Sequence, residues 1–172
     1  MSQKPTIDGF DFAVSGESRQ GRWPLRELPR LQSSLADSEG DLEYDLRGML
    51  DTLGRQALRL RLRGVLKLDC QRCLETMAFP VDLDAVLVLA ASEAEIDADA
   101  TDPTAPDRIL ASREMPIGAL IEDELLLAIP FAPRHERCAA ASDAQGVQRD
   151  SPFAGLSAML GAPAREGRQR SR

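Results

Sequence analysis

The sequence predicts an α+β fold: a mainly antiparallel β-sheet meander covered by a helix, with a mobile acidic loop and a basic C-terminal tail. Three observations predict it. Between residues 42 and 89, leucines alternate with charged residues in consecutive runs, the period of strands with one dry face. From Pro116 to Ile129 the period becomes helical, with proline marking both ends. Between these segments, Ser92 to Asp107 carries Glu93, Glu95, Asp97, Asp99 and Asp102 and almost no core-forming residues.

Taken in chain order, Phe10, Phe12 and Val14 alternate with Asp11 and Ala13 and predict a short strand. Gly16 to Gly21 reads as loop. Leucines at 25, 28, 31 and 35 predict a short or broken helix across Trp23–Leu35, interrupted by Pro29. Leu42, Tyr44 and Leu46 then alternate with Glu43 and Asp45, and a turn is expected around Asp51–Gly54. The next run sets Leu58, Leu60, Leu62, Leu66 and Leu68 on one face and Arg59, Arg61, Arg63 and Lys67 on the other. Gly64, on the apolar face, marks a bulge or a close approach. After a turn at Cys70–Cys73, Met77, Phe79, Val81, Leu83, Leu87 and Leu89 form the third run. In the helix, Ile117, Leu120, Ile121, Leu125 and Ala128 make a stripe that should cover the leucine face of the sheet. Residues 1–160 are expected to form one domain with a mobile acidic loop over 92–108. A linker at 139–150 and a short docking helix at 152–160 come near its end, before a disordered basic tail at 161–172.

Composition narrows the function classes. Across 172 residues the formal charge is −7, which argues against a polyanion binder held by bulk attraction. No apolar run approaches the roughly 20 residues of a membrane helix, and the first residues lack a secretory signal's hydrophobic stretch. Three cysteines give no disulfide framework, so the expected compartment is a reducing cytoplasm.

All three cysteines and the single histidine fall into two tight pairs, Cys70-Gln71-Arg72-Cys73 and His135-Glu136-Arg137-Cys138. Four such ligands would close a tetrahedral structural zinc site tying the helix exit to the sheet. The plainer alternative is a small buried Cys70 ending an apolar face and a loop histidine. The arginine row at 59, 61 and 63 could face RNA. The expected register instead sets those arginines opposite Asp45, Glu43 and Asp41, with Asp82 and Asp84 opposite Arg63 and Arg61, which favours a cross-strand ion ladder. Among Glu122, Asp123 and Glu124, only Glu124 leans toward the apolar stripe. If buried it would need a partner, such as an arginine of the ladder, whereas Glu122 and Asp123 read as a solvated face. No phosphate loop or nucleophile motif is present, so an enzyme, for example a nuclease using the acidic helix, is the less favoured class.

Several segments together resemble the YceD-like family of large ribosomal RNA subunit accumulation proteins. They are Leu68–Glu75, then Leu120-Ile121-Glu122-Asp123-Glu124-Leu125-Leu126-Leu127-Ala128-Ile129-Pro130 leading to Pro133-Arg134-His135, then Ser151-Pro152-Phe153-Ala154-Gly155-Leu156. The chain departs from the pattern with Met115-Pro116, where relatives often begin the helix with an acidic residue, and with Ser151, where Asn is common. The resemblance implies a noncatalytic cytoplasmic factor supporting accumulation or processing of large-subunit ribosomal RNA. The implied partner is precursor ribosomal RNA or an assembling large-subunit ribosomal protein, with no membrane and no small-molecule substrate. A protein-binding adaptor with no RNA contact is the alternative.

Overall fold

The computed structural model describes residues 5–99 and 106–138. The linker, docking helix and basic tail expected beyond 138 lie outside the described residues, as does the centre of the acidic segment. In chain order the elements are β1 (Thr6–Ile7), α1 (Gly9–Ser15), β2 (Ser18–Pro24), two 3-10 turns (Leu25–Glu27 and Gln32–Ser34), β3 (Asp41–Leu50), β4 (Gln56–Asp69), β5 (Thr76–Ala90), α2 (Glu93–Asp99), β6 (Arg108–Leu110), β7 (Met115–Pro116) and α3 (Ile117–Ala128).

The alternating runs become the long antiparallel strands β3, β4 and β5 at the centre of a five-stranded sheet ordered β2-β3-β4-β5-β6. The last pair is parallel. A separate two-stranded ladder joins β1 to β7. One sheet face carries the buried Leu42, Leu46, Leu58, Leu60, Leu62, Leu66 and Leu68. These share a single core with Phe12 of α1, with Leu25, Leu28 and Leu31, and with Ile117, Leu120, Ile121 and Leu125 of α3. The predicted stripe is thus buried except at Ala128, which is half-buried. Gly64 marks a close approach: a Cβ there would collide with the Leu42 side chain, while the pairing runs through Gly64↔Val81 without interruption.

The outer face carries the ions. Asp84 accepts two hydrogen bonds from Arg59, both at 2.7 Å, and one from Arg61 at 3.2 Å, and Arg63 meets Asp82 at 3.2 Å. The β4–β5 register is the expected one, with Arg61↔Asp84 and Arg63↔Asp82. The β3–β4 register differs by two residues, giving Arg61↔Asp45 and Arg63↔Glu43. The cause is the loop. The Asp51 carboxylate accepts Leu53 N–H and Arg55 N–H, both at 2.8 Å, and Gly54 takes a φ of 76°. Together these centre the turn one residue later than expected. A two-residue shift preserves which side chains face the core.

Four local expectations are corrected. Residues 10–14 form the helix α1, not a strand. Asp8 Oδ1 caps it by accepting Asp11 N–H at 3.1 Å, and Gly16 ends it in the left-handed region. Residues 18–21, read as loop, belong to β2. The segment 23–35 forms two single 3-10 turns, not a helix, because Pro29 keeps Leu28 out of the helical region. Gln32 Nε2 then satisfies the Leu25 and Leu28 carbonyls at 2.7 and 2.9 Å. Within the acidic segment read as a loop, 93–99 is helical.

Candidate metal centre

The β4–β5 hairpin closes through Cys70. Its N–H donates to the Glu75 carbonyl at 2.9 Å, and its own carbonyl accepts Leu74 N–H at 2.9 Å. Leu74 sits at φ 62° with its side chain in solvent. A left-handed leucine costs about 1–2 kcal/mol, strain of the kind that persists where a turn must aim side chains. Here the turn aims Cys70 and Cys73 to one side. The second pair arrives from α3: Ile129 N–H donates to Leu125 O at 3.1 Å as the helix ends. Pro130 forbids continuation, and the buried Pro133 accepts Gln71 N–H at 2.8 Å. That backbone bond lays 133–138 against the hairpin turn.

The ligand atoms of Cys70, Cys73, His135 and Cys138 all lie within 4.8 Å of one another. Cys70 Sγ stands 3.9 Å from Cys138 Sγ, and Cys73 Sγ stands 3.4 Å from His135 Nδ1. Tetrahedral zinc, with Zn–S about 2.3 Å and Zn–N about 2.0–2.1 Å, places neighbouring sulfurs about 3.8 Å apart and sulfur and nitrogen about 3.5 Å apart. The group therefore has the donor set and spacing to hold such an ion. The cysteines are free, and 3.9 Å is far from a disulfide's roughly 2.05 Å. Backbone N–H groups of Cys73, Arg72 and His135 hold the Cys70 thiol down to about 5. Burial pushes the Cys138 thiol up, and neighbouring Cys70 acts in the same direction. One ligand is thus preset as a thiolate while another keeps its proton, so metal binding near neutral pH would release protons.

One acid of the trio departs from the sequence reading, while Asp123 is exposed and Glu124 half-buried, as expected. Glu122, expected on a solvated face, is 4% exposed. Its Oε1 accepts Arg30 N–H at 2.5 Å and Leu31 N–H at 3.1 Å, and its Oε2 accepts Arg30 Nε–H at 2.9 Å. Asp123 takes the same guanidinium at 2.6 Å, and the Ala119 carbonyl takes it at 3.3 Å. The buried acid's partner is thus Arg30, not an arginine of the ladder. Glu124 is half-buried, and burial, with Asp107 and Asp123 nearby, raises its carboxyl above the usual range. The signal missed was the 25–35 segment, which covers a second side of α3.

The family model for the Large ribosomal RNA subunit accumulation protein YceD matches residues 58–159, a span that holds β4 from Leu58 onward, the hairpin, α3 and all four candidate ligands. The chain belongs to this family. A curated relative in Haemophilus influenzae (strain ATCC 51907 / DSM 11121 / KW20 / Rd), the Large ribosomal RNA subunit accumulation protein YceD, is 25% identical over 161 residues, covering 88% of this chain and 92% of its own length. No solved structure matches. The family match takes in both motif pairs that the sequence singled out, and it begins at Leu58, where the leucine–arginine alternation of β4 starts.

Proposed function

We propose that this chain is a noncatalytic cytoplasmic factor that supports accumulation of large-subunit ribosomal RNA, and that Cys70, Cys73, His135 and Cys138 hold one zinc ion as a structural tie. The observation that carries the ribosomal reading is the family match over 58–159, joined by the similarity to the Haemophilus influenzae accumulation protein. The zinc reading rests on the separations of 3.9 and 3.4 Å between ligand atoms. The noncatalytic reading is supported by how the acids are engaged: Glu122 is bound to Arg30 and two backbone N–H groups, and Asp82 and Asp84 are bound to the arginine row. No helix among the described residues is long and apolar enough to cross a membrane.

The partner is precursor ribosomal RNA or an assembling large-subunit ribosomal protein. The protein is the favoured of the two, because acids of β5 pair the arginines of β4 and the chain's formal charge is −7. The test is removal of the gene followed by measurement of large- and small-subunit ribosomal RNA. The expected result is a fall in the large-to-small ratio, restored by the wild-type chain. An unchanged ratio across growth conditions would remove the ribosomal role and leave the adaptor.

A further inference from the structure

Beside the candidate metal centre lies a groove of about 410 Å³, between the Gln32–Ser34 turn, the start of the β4–β5 turn and the exit of α3. Leu35, Leu126, Ile129, Phe131 and Pro133 supply its apolar part, while Ser33, Ser34, Gln71 and Asp69 make the larger share of its surface polar; among the described residues Asp69 is the only charged one lining it. Phe131 is 104% exposed, and Leu127, on the last turn of α3, is 76% exposed. Large apolar side chains standing in water next to a concave surface mark a contact site.

The walls of the groove are fixed. Behind the Gln32–Ser34 turn, Arg30 is clamped to Glu122 and Asp123, and the Gln71–Pro133 backbone bond holds the opposite wall. Pro130 and Pro133 restrict the chain on either side of Phe131. A surface ordered before binding loses little entropy when a partner arrives.

The charge chooses the partner. Among the described residues Asp69 forms no ion pair, and its one side-chain contact is a 3.5 Å hydrogen bond from Thr76. A phosphate in the groove would face that carboxylate with no cation among the described residues lining it, whereas RNA contact needs arginine or lysine at the phosphates. The formal charge of −7 steers in the same direction, toward a basic partner. We propose that this groove docks a short segment of a partner protein, taking an apolar side chain against Phe131 and Ile129 and a neighbouring lysine or arginine against Asp69.

The full-length protein is titrated with a short peptide mixing leucine and lysine. Its leucine-to-serine and lysine-to-glutamate counterparts and oligouridine RNA are titrated in parallel, and amide signals are followed throughout. The expected result is saturable binding of the leucine–lysine peptide that moves the signals of Leu126, Ile129 and Phe131. Phe131→Ser should weaken it by about tenfold or more, as loss of an aromatic anchor does. Asp69→Lys should weaken the lysine peptide and favour the glutamate one. Both substitutions are at exposed positions, so unchanged melting temperatures separate lost docking from lost folding. Four results would overturn the proposal: equal binding of the serine counterpart; oligouridine moving the same signals; self-association abolished by Phe131→Ser; or groove signals that move on Phe153→Ser before any peptide is added. The ribosomal reading is tested by gene removal and this one by titration, so either can fail alone.

Discussion

Replacing Glu122 by Ala removes the single acceptor shared by Arg30 N–H, Leu31 N–H and the Arg30 guanidinium. Leu31 is fully buried, so its N–H has no access to water once the carboxylate is gone. An orphaned buried donor costs about 1–3 kcal/mol, and breaking a buried pair by removing one partner costs about 3–5 kcal/mol. The Arg30 side chain is 50% exposed and keeps Asp123 and the Ala119 carbonyl, which places the loss near the low end, about 3 kcal/mol. Glu122→Gln keeps an oxygen for the two backbone donors but turns an amide toward Arg30 Nε, a loss of about 1–2 kcal/mol. Both variants should stay folded on a scale of about 5–15 kcal/mol, with urea midpoints falling in the order wild type, Gln, Ala. A double-mutant cycle with Arg30→Ala should give a coupling above about 1 kcal/mol. An Ala variant within about 0.5 kcal/mol of wild type would refute the buried clamp and restore the solvated face that the sequence suggested.

Three further outcomes are expected. Purified protein should carry about one zinc per chain, and a chelator should lower its melting temperature while leaving Cys70→Ser, already destabilised, unmoved, because an ion bound only by the folded state stabilises by linkage. Arg59, and then Arg61, hold the Asp84 carboxyl down to about 2, below its unfolded value of about 3.9. Its contribution is therefore fully present above about pH 4 and lost as pH falls through about 2, and acid titration should show wild type and Asp84→Asn converging in that window. Leu120→Asp puts an unpartnered charge at a position 7% exposed in the core, enough to unfold the domain, which circular dichroism and loss of soluble protein would register.

The sheet was readable because each of its long strands meets the core on one side and water on the other, so leucine and charge had to alternate through β3, β4 and β5. Even the misplaced β3–β4 turn kept every side chain on its expected face, since the shift was two residues. Where two periods fit the same residues, a cap decided: Phe10, Phe12 and Val14 suit a strand, yet Asp8 and Gly16 bracket them into a helix. The 25–35 segment has a leucine spacing that pointed to a helix, and the spacing alone does not give the path it takes. Its path is set by Pro29 and by the Gln32 amide bridging two carbonyls, and only that path explains why Glu122 is buried.

The candidate metal centre divides along the same line. Scarcity and spacing marked Cys70, Cys73, His135 and Cys138, because a two-residue gap is what lets a turn bring two ligands together. Their convergence needed facts that no local pattern holds. The pairing of Asp69 with Thr76 fixes where the hairpin turns, the left-handed Leu74 turns both thiols to one side, and the Gln71–Pro133 bond brings the second pair across. The loop that carries His135 also carries Phe131, so an ion holding the ligands in place would stiffen one wall of the groove as well. Metal content and peptide affinity should therefore move together in Cys138→Ser, whereas Phe131→Ser should lose affinity and keep its zinc.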